Sequence, residues 1–195
     1  ASCLVGSEMC IRDRFGTASI AANAVSNTIA VFQTLPGMAI GNAVLTVSAQ
    51  CAGAGDYEQV KYYAKKLHII IYGLMIVCCL GVIAALPAVL HVYSLSAEAT
   101  AMTEDIIVYH GICCMIIWPI AFTLPNVLRA SNDVAFCMIL SILSMWICRI
   151  GMSYVLGVRM GFGVFGVWVA MTMDWVVRAI FFVLRYRSGK WQHQM

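Results

Sequence analysis

Charge is what this sequence has least of. From Phe15 to Gly55 it has no Asp, Glu, Lys or Arg, and only 11% of its 195 residues are charged. Soluble domains carry about 25% charged and about 45–50% apolar residues. This chain is 62% hydrophobic. A soluble globular domain is thereby excluded, and an integral membrane chain is implied. The net charge of +3 is too small to suggest a nucleic-acid partner. Ligand-spaced cysteines are missing too. There are nine cysteines, but no CxxC and no Cys/His spacing suited to a metal. The adjacent pairs Cys78-Cys79 and Cys113-Cys114 are read as small packing residues. No span carries a paired His/carboxylate or Ser/His arrangement, so no enzyme, cofactor or metal is expected. His68, His91 and His110 fall near predicted helix ends, which suits interfacial positions.

The uncharged stretch 15–55 is about twice the ~20 residues a spanning helix needs. It is rich in neutral polar groups: Asn23, Ser26, Asn27, Gln33, Thr34, Asn42, Thr46, Ser48 and Gln50. Amides at membrane depth must face protein or water. At about 100° per residue, Asn23, Asn27, Thr34, Gly41 and Ser48 share one sector. Two uses remain open, cavity lining or hydrogen bonds to neighbouring helices. Pro36 is expected to kink the helix, and Gly37-x-x-x-Gly41 to let a neighbour approach closely.

Residues 1–14 stand apart. Ser7-Glu8-Met9-Cys10-Ile11-Arg12-Asp13-Arg14 is abruptly charged, has no signal-peptide core and resembles translated adaptor sequence. It is read as a non-native lead, the alternative being a polar cytoplasmic one. A first helix is then expected over about Gly16–Gly53. Asp56 caps a short amphipathic segment, Tyr57–Lys66. A second helix covers about Leu67–His91. Ser96 can open a short interfacial helix, and a third span covers about Ile106–Leu128. Trp118-Pro119 and Leu124-Pro125 predict a break in that span. A fourth span is expected over Val134–Gly157 and a fifth over about Gly161–Arg185, before a basic, aromatic tail. The fold class is an all-α polytopic membrane helix bundle of about five transmembrane helices.

Lys61, Lys65, Lys66, Arg129, Arg185, Arg187 and Lys190 cluster in alternate loops, whereas the other loops carry Arg159 alone. By the positive-inside bias, loop 57–66 and the C-terminus are cytoplasmic and loop 92–105 is outside. Within the spans, Asp174 is the lone acid. A mid-membrane carboxylate is expensive, so it should pair with Arg178, four residues on, or with Arg149. Counted from the cytoplasmic ends, Arg149 would lie ~22 Å deep and Asp174 ~16 Å deep, within reach if their helices adjoin. A structural ion pair is favoured over a coupling carboxylate. Gly161-x-Gly163-x-x-Gly166 matches a dinucleotide pattern but lacks the strand such a loop requires. Its glycines are assigned to close packing of the last two helices.

Several segments, in order, resemble one family. Phe15-Gly16-Thr17-Ala18-Ser19-Ile20-Ala21-Ala22-Asn23 is similar to the entry into the eighth helix of multidrug and toxic compound extrusion (MATE) transporters. Ala49-Gln50-Cys51-Ala52-Gly53-Ala54-Gly55 resembles the end of that helix. Leu124 to Asp133 is similar to the turn between helices ten and eleven. Gly163 to Trp168, Asp174-Trp175 and Ser188-Gly189-Lys190-Trp191 resemble the last helix and tail. The resemblance implies that residues 15–191 are part of the C-lobe, helices 8–12 of a twelve-helix exporter, with 192–195 as a tail. The N-terminal lobe and helix seven would be missing. The whole would sit in the cell membrane and exchange a small-molecule drug or organic cation for Na+ or H+. The tentative cavity residues are Asn23, Asn27, Gln33, Thr34 and Asn126. Some branches draw ion-binding carboxylates from helices seven and ten. Ile106–Leu128 contains no acid, so the coupling carboxylate is expected in the N-lobe. The alternative is a lipid-linked oligosaccharide flippase of related architecture. That would want a strongly cationic cavity, and the spans offer only Arg149 and Arg178.

Overall fold

The computed structural model describes residues 16–193. The expectation for residues 1–14 lies outside them, as do residue 15 and residues 194–195. All regular structure among the described residues is helical. Helices α1 (Thr17–Gly53) and α2 (Tyr57–Tyr93) have 37 residues each. At about 1.5 Å per residue each is roughly 55 Å long, so both outreach a hydrocarbon core of about 30 Å. After them come α3 (Ala97–Ile116), a wide π-type turn (Pro119–Thr123) and α4 (Leu124–Ala130). Then come α5 (Val134–Ser144), two more π-type segments (Met145–Met152 and Val155–Arg159) and α6 (Gly163–Arg187). A 3-10 turn, Lys190–His193, closes the described chain. Four helical stretches are long and apolar enough to cross a membrane, or five when the bent α3–α4 pair counts as one span.

Several boundaries differ from the sequence reading. Asp56 caps as expected, its carboxylate accepting from Gln59 N at 3.0 Å. The amphipathic segment, however, does not end at Lys66. No Gly or Pro interrupts Tyr57–Ile71, so the helix runs on through Leu67. Ser96 caps α3 by accepting from Ala99 N at 3.3 Å, and the supposed interfacial helix is simply the first turns of α3. The connection between α2 and α3 thus shrinks to a tight turn, with Ser94 in the left-handed region at φ 49°. The expected break in the third span is there: α3 and the Pro119–Ala130 stretch meet at 60°. Proline lacks the N–H that would continue the helix and crowds the preceding turn. Pro36, in contrast, sits inside a continuous α1.

The fourth span is regular only to Ser144. Beyond it the turns widen, and Ser144 and Ser153 turn their hydroxyls back onto the Ser141 and Arg149 carbonyls. Serines that bond backward compete with the helix ladder and loosen it. Hydropathy carries no trace of this.

Helix α6 is the central element, burying Val164, Val167, Trp168, Trp175 and Phe182. Helix α5 instead shows Ile139, Ile142 and Leu143 outward, as a lipid-facing helix does. Trp191, from the basic and aromatic tail, packs into the protein. It is fully buried, stacked on Tyr186 at 5.3 Å and edge-on to Tyr57, with its indole N–H donating to Tyr186 O at 2.8 Å. The start of α2 and the tail therefore lie at the same end of the bundle.

Candidate functional site

The bend in the third span faces the small-residue stripe of α1, and a cavity of about 330 Å³ opens beside the contact. Its lining is Thr34, Gly37, Met38, Gly41 and Asn42 from α1, with Trp118, Phe122, Thr123 and Asn126 from the bend. None of these residues is charged. Trp118 and Phe122 stack at 5.1 Å, presenting aromatic surface. Gly37 exists because of Trp118: a methyl there would overlap the indole. Gly41 leaves its carbonyl open, and Asn126 Nδ2 donates to it at 2.9 Å. Asn126 Oδ1 accepts from Arg129 Nη1 at 3.3 Å, so the amide's orientation is set from both sides. Thr123 Oγ1 is buried without a hydrogen-bond partner. A buried hydroxyl without a partner costs about 1–3 kcal/mol.

The five tentative cavity residues fall into two groups. Thr34 and Asn126 line the cavity. Asn23 is buried away from it, its Oδ1 accepting from Trp168 Nε1 of α6 at 3.1 Å. Asn27 is exposed and donates back to Asn23 O at 2.9 Å. Gln33 is fully buried and pairs with His110 Nδ1 at 2.6 Å. His110 is therefore no interfacial residue. Because α3 begins at Ala97, His110 lies deep inside the helix and is 2% exposed.

On the other side of α6, Arg178 Nε donates to Asp174 Oδ1 at 3.0 Å and to Ser144 Oγ at 2.9 Å. Its Nη2 donates to Ser141 O at 3.2 Å, and its guanidinium lies 5.8 Å from the Phe122 ring centroid. Asp174 is fully buried, and it does not line the cavity. Arg149 is half-buried in the first wide segment after α5. Of the three glycines in the dinucleotide-like pattern, only Gly166 serves packing, its Cβ position being 2.9 Å from Leu156 C. Gly161 and Gly163 have open space and positive φ, and they form the turn into α6. Among the described residues no group of His, Cys, Asp and Glu side chains is arranged to hold a metal.

A family model for MatE matches residues 9–155. The chain belongs to the MATE family. Over 92% of its length it is 23% identical to the probable multidrug resistance protein YoeA of Bacillus subtilis. Over 94% it is 22% identical to the probable multidrug resistance protein NorM of Bacillus licheniformis. A 66-residue stretch is 36% identical to the uncharacterized transporter YisQ of Bacillus subtilis. The crystal structure of the eukaryotic MATE transporter AtDTX14 superposes with a TM-score of 0.78 over 89% of this chain, at 17% identity. That likeness shows the MATE fold. The chain spans 38% of YoeA, 41% of NorM and 39% of the AtDTX14 chain.

Trp118, Phe122 and Thr123 were absent from the sequence-based cavity set. Trp118-Pro119 marked the bend, but which side chains the bend turns toward α1 depends on the 60° angle. His110 had no signal in the sequence beyond its own identity.

Proposed function

We propose that this chain is the substrate-facing part of the C-lobe of an efflux transporter. It would export drugs or organic cations across the cell membrane in exchange for Na+ or H+. The observation that carries this reading is the uncharged, aromatic and amide-lined cavity at the bend. Stacked Trp118 and Phe122 rings offer π faces to a flat or cationic ligand. Asn126 and Thr123 offer polar groups without a fixed charge. A pyrophosphate-bearing lipid would need cations there. Arg178 is already engaged by Asp174 and the Ser141 and Ser144 groups, and neither the family match nor the relatives support the flippase alternative.

The missing N-terminal lobe would supply the opposite wall, since a cavity between two lobes is not closed by one. Asp174, Arg178 and Arg149 are assigned to holding α5 and α6 together rather than to ion coupling. The lysine and arginine bias supports a cytoplasmic position for residues 57–66, the first turns of α2, and for the C-terminus, and the contact of Trp191 with Tyr57 supports a common side for both. Cysteine labelling of Lys61→Cys in intact cells checks it, and labelling by an impermeant reagent would reverse the topology.

The test of function is ethidium efflux from proteoliposomes driven by a Na+ or proton gradient. A full-length protein containing this chain should transport, and Asn126→Ala should weaken it. The isolated chain should not transport, and robust efflux by it would overturn the two-lobe reading.

A further inference from the structure

Another cavity, of about 370 Å³, opens at the end of the bundle where α2 starts and the tail packs. Three elements wall it. Lys61, Lys65 and His68 come from α2, Ile120 and Leu124 from the bend, and Val183 from near the end of α6. Among the described residues, none that lines it is acidic. Lys61 and Lys65 stand at i and i+4, so their ammonium groups rise from one face of the helix. Lys61 Nζ lies 2.8 Å from Glu58 Oε1, but that glutamate side chain is 85% exposed, and an exposed pair holds weakly. Lys65 is exposed and has no ion pair among the described residues. His68 spends its Nδ1–H on Ala64 O at 2.7 Å, so its ring stands as wall. Neighbouring residues mark the depth. Tyr62 and Tyr63, between the two lysines in sequence, are exposed, and Lys66 Nζ lies 4.8 Å from the Tyr62 ring centroid. Ile69 and Ile70 follow, also exposed, and no Asp, Glu, Lys or Arg occurs on α2 beyond them. Tyrosines beside lysines, then outward aliphatics, mark the line between headgroups and hydrocarbon. The cavity straddles that line.

We propose that this cavity binds an anionic phospholipid. The phosphodiester lies between the Lys61 and Lys65 ammonium groups, and the glycerol and first acyl carbons lie on Ile120, Leu124 and Val183. Each half of the site selects half of the ligand. Lysine stems lie along an apolar floor while their ammonium groups reach headgroup level. Basic pockets between spanning helices suit acidic headgroups. The aliphatic floor rewards a hydrocarbon chain and gives a free phosphate ion nothing. The rim is fixed by Tyr186, which also lines the cavity and stacks on the buried Trp191. By the topology proposed above the leaflet is the cytoplasmic one, but the chemistry of the site depends neither on that nor on efflux. A lipid seated there touches α2, the bend and α6 at once. A ligand that binds only the assembled fold stabilises it, so the lipid holds the bend against its two neighbours.

Native mass spectrometry of the 195-residue chain, released from mixed micelles of phosphatidylglycerol and phosphatidylcholine, counts the retained lipid. At equal mole fraction one phosphatidylglycerol should be retained over phosphatidylcholine by about fivefold or more. The double variant Lys61→Gln/Lys65→Gln should bring that preference below about twofold. Lys61→Arg/Lys65→Arg should keep it, and so should Lys66→Gln, which removes a charge from the same helix outside the lining. In detergent, phosphatidylglycerol should raise the unfolding midpoint of the wild-type chain by several degrees and leave that of the Lys61→Gln/Lys65→Gln variant unmoved. Glycerol 3-phosphate at the same concentration should move neither. Equal retention of the two lipids overturns the proposal. A preference that survives Lys61→Gln/Lys65→Gln, or that Lys66→Gln abolishes equally, overturns it too, since diffuse surface charge would then account for the binding. A midpoint shift from glycerol 3-phosphate as large as that from the lipid would mean a soluble-phosphate site, and the lipid site would fall.

Discussion

Where α1 meets the α3–α4 bend, the chain leaves about 330 Å³ open, lined by Thr34, Asn42, Thr123 and Asn126 among aromatic rings. Where α5 meets α6, it leaves about 410 Å³ lined by Phe136, Ile139, Leu140, Leu143, Ile147, Val177 and Phe181, with Ser144 and Cys148 the exceptions. The first region keeps polar groups neutral and in part unpartnered. The second has a carbon-lined exterior and hides a salt bridge behind it. The difference follows from the cost of polarity at membrane depth. A neutral amide or hydroxyl can wait for a ligand at a penalty of about 1–3 kcal/mol, whereas a lone buried charge is several times more costly. The cavity is accordingly lined without full charge, while the Asp174–Arg178 pair sits in the packed seam, Oδ1 paired and Oδ2 without a hydrogen-bond partner.

Breaking the seam should have the largest effect. Arg178→Ala leaves Asp174 buried without its partner and should lower the stability of the detergent-solubilised chain by about 3–5 kcal/mol. Chemical unfolding followed by tryptophan emission measures it, and Asp174→Asn combined with Arg178→Gln should recover much of the loss. A loss below about 1 kcal/mol for Arg178→Ala would mean the pair behaves as an exposed one.

Next in size is Gly166→Ala. The new methyl meets the Leu156 backbone at 2.9 Å, and backbone cannot swing aside as a side chain can. A loss of about 1–3 kcal/mol is expected. Gly73→Ala, in a helix with open space around it, should instead be neutral or gain up to about 1 kcal/mol. Equal effects at both glycines would remove the case for a tight α6 contact.

On the cavity side, Asn126→Ala removes the donor to Gly41 O and should cost about 0.5–1.5 kcal/mol of stability. It should also weaken ethidium binding by roughly three- to tenfold, read by fluorescence anisotropy on the full-length protein. The smallest effect is expected on the apolar groove. Ile139→Val, on a side chain that is 56% exposed, should change stability by no more than about 0.5 kcal/mol and ethidium binding not at all. A binding change as large as that of Asn126→Ala would move the substrate path to the α5–α6 side.

The bend was legible because two prolines in one span, Pro119 and Pro125, each remove a backbone donor and crowd the preceding turn, whereas the lone Pro36 and Pro87 stay inside continuous helices. The pairing of Asp174 with Arg178 could be expected because their spacing puts them on one helical face. The division of the α1 amides could not. Asn23 and Thr34 share a sector of α1, yet Asn23 meets Trp168 and Thr34 meets the cavity. What they meet is decided by neighbours more than 80 residues away along the chain, as the separations of Asn23 from Trp168 and of Thr34 from Trp118 show. The position of His110 was misjudged for a related reason. Where α3 begins is set by the Ser96 cap, so that a residue placed near a helix end by hydropathy lies well inside.

The sequence by itself determined that this is a polytopic helical membrane chain, that its first helix carries polarity without charge, and that its third span breaks. Each follows from composition, hydropathy or the chemistry of proline, which act along the chain. Only the tertiary structure decided that Trp118 and Phe122 face α1, that Trp191 is buried, that the fourth span loosens after Ser144, and that Gln33 and His110 meet between two indoles. Those outcomes depend on the 60° bend and on how long helices settle against one another. A few degrees of helix rotation moves a side chain from cavity to contact, and no local pattern in the residues carries that angle.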